Sequence, residues 1–191
     1  MKARPYGWDG VLLEVDDPAG WFLTLVAARE TGELSCEEIV PAAATVLLRG
    51  VRRLPDLTLL SPTSPTSSAS QVEIPVTWDG ADFDDVAQRW RTEPATVLKG
   101  LTFTVAFCGF APGFAYLTGL PARYHLPRLS TPRTGVPDGS VAVGGPYTGV
   151  YPRSSPGGWR LLGHTELTLF DPSLAEPALL SPGTRVRFAD A

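Results

Sequence analysis

Four arginines stand on glycine- and proline-rich stretches in the second half of the chain: Arg128 and Arg133 in LPRLSTPRTGVPDGS, and Arg153 and Arg160 in YPRSSPGGWR. Arg128 and Arg133 each follow a proline, in a segment too rich in proline for a helix or a central strand. A guanidinium held on a stiff loop suits a carboxylate or a phosphate, because its planar fork makes two parallel charge-assisted hydrogen bonds. The same side chains could equally tie down loop carbonyls or stand in solvent. The apolar counterpart is FCGFAPGFAYLTGL, residues 107–120, which carries Phe107, Phe110, Phe114 and Tyr116 among three glycines. Phe107, at a strand end, reads as core. Phe110, Phe114 and Tyr116, together with Trp159 of SPGGWR, divide between core and the wall of a groove or interface, with glycines where the backbone must turn.

Other chemistry finds little support. The glycine cluster VGGPYTG is not GxGxxG and precedes no helical pattern, and the two lysines, Lys2 and Lys99, stand outside any GK[ST] context, so tight β turns explain it. The two histidines, His125 and His164, accompany no GxSxG serine, and nothing beside Cys108 in sequence would activate its thiol. No catalytic residue is assigned. Cys36 and Cys108 are far apart, with no CxxC and no histidine at metal-ligand spacing, so neither a disulfide framework nor a metal site is expected and a reducing, cytoplasmic setting fits. A formal charge of −4 argues against sequence-independent nucleic-acid binding, which needs a basic face. The N-terminal MKARPYGWDGVLLEVDD lacks the apolar run of a signal peptide, and no segment reaches the roughly 18 apolar residues of a membrane span.

The elements that must position these residues can be read coarsely. GVLLEV is a strand, and DDPAGWFLTLVAARETGE a helix with Asp17 near its N-cap, Pro18 in its first turn and Gly32 beyond its end. EEIVPAAATVLLRGV is strand-rich and broken at Pro41, which completes a β-α-β opening. LPDLTLLSPTSPTSSASQ runs into a Ser/Thr/Pro stretch with little to bury and reads as a loop. VEIPVTW resumes as a strand, and DGADFDDVAQRW is a turn and then a helix with Phe83, Val86 and Trp90 on one side. Beyond residue 101 the runs LTFTVAF, SVAVGG, TGVYP, GWRLLGHT and RVRFAD, separated by glycine and proline, predict a closed or sandwich-like β domain. The expected organisation is α+β, with a small N-terminal domain over residues 1–80 and a β domain over 81–191.

GFAPGFAYLTGLP, HLPRLSTPRTGVPDGSVAVGG and TGVYPRSSPGGWRLLGHTELTLFDP, in this order across residues 103–172, closely resemble a bacterial family with a carboxyltransferase subdomain C and D. Its members are known as allophanate hydrolase subunit 1, as the B-type subunit of 5-oxoprolinase and as Kip-type kinase inhibitors. VEIPVTWDGADFDDVAQ, EEIVPAAATVLL and PALLSPGTRVRF resemble it more weakly. Two departures stand out: the Ser/Thr/Pro run replaces a helix of the family, and Leu98–Lys99 stands where an LH pair is usual; Trp78 also replaces a tyrosine. The resemblance implies a cyclophilin-like β barrel after the small domain. It also implies a partner, a second barrel subunit, in a complex that opens 5-oxo-L-proline to L-glutamate using ATP with Mg²⁺, together with the A-type subunit of 5-oxoprolinase. ATP would belong to the complex, with no cofactor tightly bound. The alternatives it leaves are an allophanate-type amide substrate, or a regulator docked on a sensor histidine kinase. For a carboxylate-bearing substrate, Arg128 or Arg133 would anchor the carboxylate. Ser140, Tyr151 and the backbone amides of Gly144 and Gly145 would hydrogen-bond a polarised carbonyl or its phosphorylated form.

Overall fold

Asp17 and Pro18 start the first helix as the sequence predicts. In the computed structural model, which describes residues 1–63 and 70–191, helix α1 spans Pro18–Glu30, and Asp17 accepts from the Gly20 amide at 2.9 Å. Residues 64–69, most of the Ser/Thr/Pro run read as a loop, lie outside the described residues. The chain divides into two units, Met1–Ala69 and Ser70–Ala191.

In the first unit α1 buries Trp21, Leu25 and Ala28 against Leu13, Val46 and Leu48 of an antiparallel sheet. Its strands β1 (Lys2–Tyr6), β2 (Gly10–Glu14), β3 (Glu38–Pro41) and β4 (Thr45–Arg49) lie in the order β1-β2-β4-β3. Pro41 ends β3 at the turn into β4. Strand β1 has no hydrophobic alternation to announce it: all five residues are exposed, and pairing with β2 alone holds it at the edge.

The second unit contains β5 (Gln71–Val76), α2 (Phe83–Trp90), α3 (Pro94–Lys99), β6 (Phe103–Cys108), β7 (Ala115–Thr118), β8 (Arg133–Val136), β9 (Ser140–Gly144), β10 (Tyr147–Val150), β11 (Ser155–Gly157), β12 (Arg160–His164) and β13 (Arg185–Asp190). Seven strands form one sheet in the order β12-β9-β10-β7-β6-β13-β5. Its two edges meet: Thr77, just past β5, and His164, at the end of β12, exchange backbone hydrogen bonds of 2.9 Å in each direction. That closure makes the sheet barrel-like. The boundary expected from sequence falls after residue 80. Strand β5, however, pairs in parallel register with β13 from Gln71↔Arg185 to Val76↔Asp190, which places it in the second unit.

The barrel encloses Ile74, Val76, Phe103, Val105, Leu117, Val141, Val143, Val150, Leu162, Val186 and Phe188. The outer face of β9, β10 and β12 is covered by a second cluster built on Phe114, Val136, Ala142, Tyr151, Trp159 and Leu161. Burial on both faces explains why SVAVG has no polar alternation. The proline-rich stretch around Arg133 contributes only the short strand β8, which pairs with β11 in a two-stranded ribbon.

Both replaced family positions meet one carboxylate. Lys99 donates to the two oxygens of Asp190 at 2.8 and 2.6 Å, and the Trp78 indole N–H donates to it at 2.9 Å. This ties α3 and the end of β5 to the closing strand.

At the seam the chain has no room for a side chain. A Cβ on Gly80 would lie 2.3–2.5 Å from backbone atoms of Leu161, Leu162 and Gly163, whereas one on Gly135 would meet nothing within 4 Å. Gly80→Ala is therefore expected to destabilise the chain by about 1–3 kcal/mol in urea unfolding, and Gly135→Ala to change it by less than about 0.5 kcal/mol. Equal losses in the two variants would remove the close approach as the cause.

Candidate functional site

The turn between β5 and α2 and the first turn of α2 carry Asp79, Asp82 and Asp85 at intervals of three residues, and each meets a basic group far away in sequence. Asp79 lies 2.8 Å from His164 Nδ1. Asp82, 9% exposed, accepts from Arg133 Nη2 at 2.8 Å through one oxygen and from the Leu161 amide at 2.7 Å through the other. Asp85 accepts from Arg160 Nη1 at 2.6 Å and Arg89 Nε at 2.9 Å, and the hydrogen bond from Arg89 holds its carboxyl below the usual carboxylate range. Arg160 is buried and also reaches the Pro127 carbonyl, so its role is structural.

Two of the cavities gather the residues singled out from sequence. The larger, about 460 Å³, is bounded by the 79–81 turn, Arg133, Gly135, Pro137, Asp138, Ser140, Leu161, Gly163 and His164. Arg133 enters it with one guanidinium nitrogen on Asp82 and another 3.4 Å from the Trp159 carbonyl, which leaves N–H groups for a ligand. Ser140 is the cross-strand partner of His164, and antiparallel partners project to the same face. The Asp79 hydrogen bond raises the His164 pKa above its ordinary value, with weaker help from the charges of Asp79 and Glu166.

The smaller cavity, about 50 Å³, is lined by Phe110, Phe114, Tyr116, Arg128, Tyr151, Pro156, Gly157, Gly158 and Trp159. Arg128 lies over the Trp159 ring at 5.7 Å. Burial pushes the Tyr151 phenol up, opposed by a hydrogen bond from the Trp159 backbone and by the charges of Arg128 and Arg133. Phe114 is 2% exposed and makes edge-to-face contacts with Tyr116, Tyr151 and Trp159. Phe110 is the exception. It is 60% exposed, stacks edge-on against Phe114 and Tyr151, and holds a left-handed φ of 68°. For a bulky residue that conformation costs of the order of 1–3 kcal/mol.

The residues singled out from sequence thus divide. Arg133 and Ser140 share the larger cavity; Arg128 and Tyr151 share the smaller with the four aromatics. Phe114 and Trp159 are buried and form the floor of the smaller cavity, and Phe110 and Tyr116 complete its lining. Phe107, expected in the core, is half-buried and stacks on Tyr116 at 4.4 Å. Of the two glycine amides, that of Gly145 is already engaged within the fold. Gly145 N–H donates to the Leu126 carbonyl at 2.8 Å, and Gly144 sits against the Trp159 indole, where a Cβ would come within 2.7 Å of the ring. Burial pushes the Cys108 thiol up, and its Sγ faces the Leu180 carbonyl, both of which disfavour the thiolate. Sequence reasoning missed Asp79, Asp82, Asp138 and His164. The three-residue carboxylate spacing was visible in DGADFDD, but partners 50 to 85 residues away have no local signature.

Residues 1–180 match the model of the carboxyltransferase domain, subdomain C and D. The B-type subunit of 5-oxoprolinase from Escherichia coli O157:H7 is 50% identical over 123 residues, covering 61% of this chain and 56% of that protein. The chain therefore spans a little over half the length of the curated relatives it matches. The crystal structure of TTHA0988 superposes with a TM-score of 0.78 at 34% identity, over 100% of this chain and 40% of that one. A conserved uncharacterized protein of Pyrococcus horikoshii, PH0987, gives 0.61 at 30% identity, over 100% and 97% of the two chains. With the family model matched from the first strand of the small unit to the last turns before β13, the chain belongs to the carboxyltransferase subdomain C and D family.

Proposed function

We propose that the chain is one subunit of an ATP-dependent hydrolase that opens 5-oxo-L-proline to L-glutamate, inactive alone and completed by the A-type subunit of 5-oxoprolinase and a second barrel subunit. The likeness to relatives named as the B-type subunit of 5-oxoprolinase supports the reaction. The observation that carries the role of this chain is Arg133, a guanidinium fixed by Asp82 at the wall of an open cavity. The substrate's carboxylate lies on its remaining N–H groups, with Ser140 as a neighbouring donor. Among the described residues no group of carboxylates, histidines or cysteines could hold a metal ion, and Lys99 is engaged by Asp190. On this reading ATP with Mg²⁺ is used by the complex as a whole. Both cysteines are free thiols, in keeping with a cytoplasmic setting; no helix among the described residues is long and apolar enough to cross a membrane.

Phe110 and the rim of the smaller cavity form the contact with the second barrel subunit. An exposed aromatic held in a costly backbone conformation is unfavourable for the isolated chain and useful at an interface, where aromatic anchors dominate binding. A regulatory role on a sensor histidine kinase would use the same rim, and an allophanate-type amide would use the same anchor.

Glutamate release from 5-oxoproline is expected from the complete set of subunits with ATP and is expected to disappear when this chain is omitted. Absence of turnover from the complete set would shift the assignment to another amide or to regulation. Arg133→Lys, which keeps a cation beside Asp82, is expected to lower kcat/KM about 10- to 100-fold, the worth of a charge-assisted anchor; unchanged turnover would remove Arg133 from the site. Phe110→Gly is expected to alter the stability of the isolated chain by less than about 1 kcal/mol, because relieved strain offsets lost ring contacts. It should nevertheless weaken association about tenfold or more when titration calorimetry is run against the second barrel subunit.

A further inference from the structure

His164 differs from the other polar groups around the larger cavity in having one nitrogen fixed and the other nearly free. Nδ1 lies 2.8 Å from Asp79 Oδ1. Nε2 faces Glu166 Oε1 at 3.4 Å, beyond good hydrogen-bond length, on a side chain that is 94% exposed and easily displaced. The backbone of His164 is bonded in both directions to Thr77 at the seam of the barrel, so the ring stands on a rigid base. Its side chain, 39% exposed, lines the cavity with Arg133, Ser140 and the exposed Asp138.

Resting on the 5-oxoprolinase reading above, we infer that His164 touches the substrate: its Nε2–H donates to the carbonyl of a small amido acid whose carboxylate lies on Arg133, with Asp79 as the positioning residue. The cavity then recognises three features of one ligand. Arg133 takes the carboxylate, His164 the amide oxygen or the second carboxylate of the opened product, and Asp138 the N–H. About 460 Å³ is ample for a molecule of five carbons. A donor aimed at an amide oxygen stabilises the negative charge that builds there when the carbonyl is attacked.

The arrangement has a pH signature. With Nδ1–H given to Asp79, a neutral ring presents a lone pair at Nε2 and only the imidazolium presents a proton there. The charged groups facing the ring are Asp79 from the turn, Glu166 from its own segment, Asp138 from the loop before β9, and Arg133 from β8. Asp79 and Glu166 raise the pKa, so the donor form persists to higher pH than for an ordinary histidine and is lost as pH rises through that value.

The test uses the full chain, whose only histidines are His125 and His164, and imidazole NMR with 5-oxo-L-proline and L-glutamate as probes. Saturating probe is expected to shift the His164 resonances and raise its pKa, and probe affinity should fall about tenfold per pH unit above that pKa. In the assembled complex the alkaline limb of kcat/KM follows His164. Asp79→Asn should move that limb to lower pH, whereas Arg133→Lys should lower activity at every pH without moving it. His164→Gln should lower kcat at least about tenfold. His164 resonances unmoved by either probe, together with a complex whose pH profile ignores Asp79→Asn, overturn the inference while leaving 5-oxoproline turnover intact. Probe binding on His164 in a complex that does not turn over 5-oxoproline does the opposite: it retains the site and removes the reaction.

Discussion

The second unit turns on the closure of its sheet, where Thr77 pairs with His164 and Asp82 joins the turn after β5 to Arg133 and to β12. Asp79 and Asp82 in that turn and Asp85 in the first turn of α2 stand beside the join, and each takes a basic group from the far side of the chain: His164, Arg133 and Arg160. The seam itself has little else. Thr77 and His164 exchange two hydrogen bonds, Gly80 and Asp82 donate to the carbonyls of Leu162 and Leu161, and Asp82 accepts from the Leu161 amide. A partly buried pair such as Asp82–Arg133 contributes little net stability, because desolvation of the two charges offsets much of their attraction. What the pair supplies is geometry. It fixes where the turn lies against β12 and, with the same hydrogen bonds, which way the guanidinium points.

The closure of the barrel and the preorganisation of the larger cavity are therefore one construction. Arg133 comes from a ribbon outside the main sheet, Ser140 from β9, and His164 from the last residue of β12. Strands β9 and β12 are neighbours in the sheet, and closure adds the 79–82 turn and, through Asp82, Arg133 to the same space. A rigid scaffold with its binding groups at the seam keeps the donors in place before a ligand arrives, which limits the ordering cost of binding.

The aromatic cluster follows a different logic. Trp159 lies flat against strands from which side chains have been removed: a Cβ on Gly144 would come within 2.7 Å of the indole and one on Gly149 within 3.1 Å. Phe114, Tyr151 and Trp159 then pack edge to face and carry Phe110 on top. Gly144 and Gly149 are spacers for a ring. Dispersion and burial, rather than hydrogen bonding, explain their presence.

Much of the scaffold was legible from local rules. The Asp17–Pro18 start of α1, the short strands after residue 101 and their glycine and proline punctuation depend on neighbours in sequence, where capping, φ restriction and hydrophobic period act. The motifs also identified the family. The exposed edge strand β1 was invisible because no residue of it is buried, and β5 was assigned to the wrong side of the boundary because its partner is β13, more than 100 residues away. The same holds for the site. The sequence showed arginines suited to an anion, yet only the folded chain separates Arg133 from Arg128, commits Arg160 to Asp85, and turns His164 toward Asp79. Residue types and local backbone preference are properties of short stretches. Which charges meet, and which are left free for a ligand, is decided by sheet closure between distant strands, and no short stretch records it.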